Sequence, residues 1–119
     1  MKNLAPQIYR QRLIIEGYYG KSLDRPELER FLVALAARLG LRAYGAPAVY
    51  SPAGAGSPQN QGFDAFLPLV DSGISVYVWT AERFASVLVY SCRPFDPQTA
   101  IACVREMLVV EGEVASAAF

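Results

Sequence analysis

The chain contains no histidine, so the side chain that most often takes and gives protons near neutral pH is missing. General acid–base chemistry would then fall to a carboxylate, a thiol or a phenol, and no metal site is expected. Charge of one sign is also lacking, because eleven basic residues balance eleven acidic ones. That leaves no electrostatic footprint for nucleic acid or an anionic membrane surface, and neither is expected as a partner. No apolar run reaches the roughly 20 residues needed to span a bilayer. The N-terminus lacks the charged-then-apolar order of a secretory signal, so a cytoplasmic location is expected. Only two cysteines are present, and without export signals they read as thiols rather than a disulfide framework.

What is there is apolar. Hydrophobic residues make up 53% of 119, high for a small domain, which points to surface hidden by self-association. The length fits one domain over residues 1–119. Residues 8–18 read as a first strand around Leu13, Ile14 and Ile15. Pro26 then opens a helix whose Leu28, Phe31, Leu32, Leu35 and Leu39 repeat at helical spacing, and Gly40 is placed to close it. Residues 41–50 suggest a short second strand. Residues 51–62 are rich in Gly, Pro, Ala and Ser without periodicity and read as a flexible loop. Residues 63–70 continue as strand. Asp96 caps a second helix that starts at Pro97 and carries Ala100, Ile101, Val104 and Leu108 inward. Residues 109–115 suggest a last strand. The order predicts an α+β, two-layer sandwich, an antiparallel sheet with two helices on one face.

The densest information lies between Asp71 and Cys92. Two strand-like runs, 74–79 and 84–91, are joined by a polar link, with Ser72 before the first and Cys92 after the second. In an antiparallel hairpin the open ends lie side by side, so hydroxyl and thiol could face one site. Read alone, Ser72 beside Gly73 is an ordinary turn residue, and a lone cysteine is more often a buried apolar one. Cys103, on the apolar side of a helix, fits that description.

This stretch resembles the bacterial, small-subunit type of S-adenosylmethionine decarboxylase. The family pattern runs Glu-Ser-His, a strand, His-Thr-Trp-Pro-Glu, a second strand, then Thr-Cys-Gly. The matching residues are Asp71-Ser72-Gly73, Tyr77-Val78-Trp79-Thr80-Ala81 and Ser91-Cys92-Arg93. Leu13 to Tyr18 is similar to the family's first strand, Tyr50-Ser51-Pro52-Ala53-Gly54 to its aromatic-x-Pro-x-Gly turn, and Asp96-Pro97 to its helix start. The 51–62 loop is longer than the pattern.

The resemblance implies cleavage between Asp71 and Ser72. The serine hydroxyl would attack the preceding carbonyl, shift amide to ester, and after elimination leave a pyruvoyl cofactor derived from Ser72. That ketone would take the substrate amine and act as an electron sink while carbon dioxide leaves. Cys92 would return the proton, a role that suits a thiol with pKa near 8.5. Tyr50 would pack against the substrate, or simply end its strand. The substrate implied is S-adenosylmethionine, within polyamine (spermidine) synthesis, and the exposed sheet face would pair with a second copy into a four-layer homodimer.

The departures are specific. Tyr77 occupies the position of the histidine that drives cleavage, Gly73 replaces the other histidine, Asp64 stands at a serine position, and Ala81 replaces the glutamate unless Glu82 takes over. Two alternatives to an S-adenosylmethionine decarboxylase therefore stay open. One is an uncleaved, non-catalytic member without cofactor, acting as a binding or regulatory subunit beside an active relative. The other is a pyruvoyl-dependent decarboxylase of a different amino acid.

Overall fold

The computed structural model describes residues 1–52, 56–58 and 61–119. The expected 51–62 loop includes residues 53–55, 59 and 60, which lie outside the described residues. Along the chain run β1 (Gln11–Tyr18), α1 (Arg25–Arg38), β2 (Ala48–Tyr50), β3 (Gly62–Leu69), β4 (Ser72–Trp79), β5 (Phe84–Ser91), α2 (Pro97–Met107) and β6 (Ala115–Ala118). The described strands form one six-stranded sheet in the order β2-β3-β4-β5-β1-β6, antiparallel throughout. This is the α+β architecture expected from the sequence.

Period-two alternation explains the layering. Leu13 and Ile15, Ala65 and Leu67, Ile74 and Val76, and Val87 and Val89 are all buried, and they share one face. Against them α1 lays Leu28, Phe31, Leu32 and Leu35, and α2 lays Ala100, Cys103 and Val104. The helix starts follow their caps. Asp24 accepts from the Glu27 N–H at 2.9 Å, and Asp96 accepts from the Gln98 N–H at 2.9 Å. Each side chain satisfies one donor the helix leaves open. Gly40, at φ +69, closes α1 with Gly40 N–H on Ala37 and Leu41 N–H on Ala36, a Schellman pairing.

Three expected boundaries move. β1 starts at Gln11 rather than residue 8, because Ile8 is tied back to Ala5 and stays exposed. The 41–50 strand contracts to Ala48–Tyr50, since Pro47 offers no N–H and the preceding residues attach to β3 through separate bonds such as Tyr44 N–H to Pro68. The last strand is Ala115–Ala118, not 109–115. Val109 takes φ +53 and ends α2 with the same Schellman pairing, Val110 N–H to Arg105. Val110 then buries against Gly17, so the chain must cross the end of β1 before it can pair.

Among the described residues, no layer covers the other sheet face. Tyr18, Tyr50, Phe66, Tyr77 and Tyr90 stand on it and are exposed.

Candidate functional site

The Ser72 end begins with a two-residue turn. Leu69 pairs with Ser72, leaving Val70 and Asp71 to reverse the chain. Asp71 sits at φ +59, a left-handed conformation that aspartate tolerates better than most residues. Ser72 is therefore the first residue of β4, not a loop residue ahead of it. Its register partner on β5 is Ser91, and the two hydroxyl oxygens are 2.7 Å apart. Ser91, fully buried, also accepts from the Arg93 N–H at 2.8 Å. The Cys92 N–H donates to the Asp71 carbonyl oxygen at 2.8 Å. The hairpin thus brings serine and cysteine together as their spacing suggests. Strand alternation points Ser72 and Ser91 toward the helices and Cys92 toward the open face. Ser72 and Cys92 nevertheless line one open hollow of about 340 Å³, floored by Gly73, Ser75 and Leu88.

The second cluster lies at the other end of the same face. Tyr50 pairs with Asp64, and Asp64 pairs with Tyr77. A carboxylate therefore stands between two phenols in one row across three strands, with neighbouring Cα atoms roughly 4.5–5.5 Å apart. Trp79 and Ser57 help enclose a hollow of about 460 Å³ over this row. Aromatic faces around one carboxylate suit a flat ring or an organic cation. The row continues to Ser86, which donates to Glu16 at 2.8 Å.

Tyr77 and Ser72 share a strand but not a site. Five steps along β4 separate them, roughly 17 Å at ~3.4 Å per step. Tyr50, Asp64 and Tyr77 are brought together, and Ser72 with Cys92, but the two groups stay apart within one chain. Residue-by-residue reading missed Ser91, Ser86 and Glu16; strand register is the signal that would have found them. Gly73 is covered by the Phe66 ring, which lies 3.1 Å from where a β-carbon would stand, so a side chain there must push that ring aside. The two thiols differ. Cys92 is exposed, whereas Cys103 is buried and burial pushes its pKa up.

The architecture and these two clusters define an α+β sheet protein with its chemistry-bearing groups at both ends of an open sheet face. The S-adenosylmethionine decarboxylase family model matches residues 11–117, and the chain belongs to that family. The crystal structure of the adenosylmethionine decarboxylase from Aquifex aeolicus VF5 matches with a TM-score of 0.71 at 19% identity, covering 94% of this chain and 89% of that one. At that identity the likeness establishes the fold. No curated protein sequence matches the chain.

Proposed function

We propose that this chain is a slowly self-processing S-adenosylmethionine decarboxylase that works as a homodimer, cutting itself between Asp71 and Ser72. The observation that carries this reading is the state of that one peptide bond. Its carbonyl oxygen already holds a backbone N–H, its serine hydroxyl is held by a second hydroxyl, and the residue before it is left-handed. A donor aimed at a carbonyl oxygen favours the charge that develops there during attack. A pyruvoyl group formed at residue 72 would supply an electron sink for decarboxylation. Around that position Cys92 would hold and return a proton, and the hollow over Ser75 and Leu88 would take a substrate.

Homodimerisation supplies what one chain lacks. A two-fold axis lying between two open faces and running across the strands reverses strand direction. It sets the Ser72 end of one copy over the Tyr50–Asp64–Tyr77 end of its partner. The same packing would cover the exposed aromatics, which a monomer leaves in water. Leu88 lies near the middle of this face. Leu88→Asp is expected to give a folded monomer in sedimentation where the wild type is a dimer at micromolar concentration. A wild-type monomer there would remove the composite site.

Intact mass tests the cleavage directly. Slow processing predicts mainly the 13.0 kDa chain in fresh protein, with fragments of 71 and 48 residues growing in over days. A second reading, an uncleaved binding member, is favoured by Tyr77, because a phenol is a poor base at neutral pH. It gains if no fragments form on prolonged incubation.

A further inference from the structure

The Ser72 hydroxyl is held by a group that the family pattern assigns no task. We infer that Ser91 is a positioning residue for the acyl shift: consecutive positions on β5 fix both atoms of the new bond, the Ser91 hydroxyl holding the Ser72 oxygen and the Cys92 N–H holding the Asp71 carbonyl. This deepens the self-processing reading and rests on it.

Strand geometry makes the division possible. At the Ser72–Ser91 pair, β5 sends the Ser91 side chain below the sheet, where Ser72 also points. One residue further, the Cys92 N–H lies in the sheet plane and reaches the Asp71 oxygen at 2.8 Å. The carbonyl oxygen is therefore held from β5, while the Ser72 hydroxyl is held below the sheet, out of the line of that hydrogen bond. Ser91 is itself fixed, because it is fully buried and one of its lone pairs takes the Arg93 N–H at 2.8 Å. A second lone pair remains for the Ser72 proton. In the productive arrangement Ser72 donates to Ser91 and keeps its own lone pairs for the carbonyl.

The step balances without another reagent. The Ser72 oxygen bonds to the Asp71 carbonyl carbon, the carbon–nitrogen bond of that peptide breaks, and the hydroxyl proton ends on the freed Ser72 nitrogen. An amide and an alcohol become an ester and an amine. No histidine is needed for this step, only geometry, and misplacing reacting atoms by about 1 Å can cost on the order of 100-fold.

Hydroxylamine reads the ester without reference to decarboxylation. It cuts an ester at Asp71–Ser72 and releases a 48-residue fragment with a free serine amine, distinguishable by mass from a pyruvoyl-blocked one. The chain has no Asn-Gly pair, the peptide sequence this reagent also attacks. Wild type is expected to give that fragment, and Ser72→Ala none. Ser91→Ala, checked for an intact fold by its thermal melt, should give it about 10-fold to 100-fold more slowly. Ser91→Thr keeps the hydroxyl and should restore most of the rate. Equal rates in wild type and Ser91→Ala would overturn the role of Ser91 and leave self-processing standing. So would a folded Ser91→Thr no faster than alanine. If wild type yields no fragment, the self-processing reading itself fails, and this inference with it.

Discussion

Tyr77→His is expected to speed cleavage at Ser72 by roughly 10²–10⁴-fold, the usual worth of a well-placed general base. Completing the cut requires removal of the serine α-proton after the ester has formed. A phenol takes that proton poorly at neutral pH, whereas an imidazole is the usual base there. The geometry adds a condition that residue identity alone does not contain. Tyr77 stands roughly 17 Å along its own strand from Ser72, so the new histidine must act on the other copy. A chain carrying Tyr77→His together with Ser72→Ala cannot cut itself. Mixed with wild-type chains and allowed to exchange, it should cause the wild-type chains to be cut. Combining Tyr77→His with Leu88→Asp should abolish the gain. If the double-substituted chain leaves wild type uncut after exchange is verified, the crossed arrangement is wrong. If Tyr77→His changes nothing in the homodimer, the site has drifted beyond this residue. Adding Gly73→His is less promising than pattern matching suggests, because Phe66 covers that position.

Gly62→Ala is expected to lower stability by roughly 3–5 kcal/mol, the range of severe single lesions. A β-carbon at residue 62 would land on the carbonyl oxygen of Val78, on the neighbouring strand. Val78 is a buried residue of β4, next to the Trp79 that pairs with Gly62. No rotamer change relieves a clash between two backbones, so β3 must pull away from β4 at this end. Asp64 and Tyr77 lie just inside that break, and their hollow should be lost with it. Gly45→Ala is the control, since nothing lies within 4 Å of its would-be side chain. Thermal melts of the two variants side by side decide the matter. A loss below about 1 kcal/mol in Gly62→Ala would mean that the strands separate there at little cost.

The local signals were legible because they act over a few residues. Pro26 and Asp96 announced both helix starts, Gly40 announced a helix end, and the 74–91 alternation announced the hairpin. What was not legible depends on partners far along the chain. Nothing near Val109 indicates that a β-branched residue will take a left-handed turn; that follows from how α2 ends and from where Val110 buries. Ser91 looked like the last residue of a strand until register placed it opposite Ser72. Tyr77 looked like a neighbour of Ser72 because the family pattern is written along one line. The rise of an extended strand turns those five steps into most of the length of the sheet.

The unequal burial of the two cysteines gives the protein an internal gauge of its own opening. Cys92 lines the open hollow beside Ser72, so a thiol reagent should reach it far sooner than Cys103 in the native protein. Cys103 is shut between α2 and the sheet, and burial pushes its thiol further toward the unreactive protonated form. It can react only when the helix layer lifts. In Cys92→Ser protein, the labelling rate of Cys103 divided by that of the unfolded chain would give the equilibrium constant of that lifting, and its logarithm the free energy. No engineered probe is needed. Comparing this opening energy before and after the 71–72 bond is cut would show how firmly the core holds two separate fragments together.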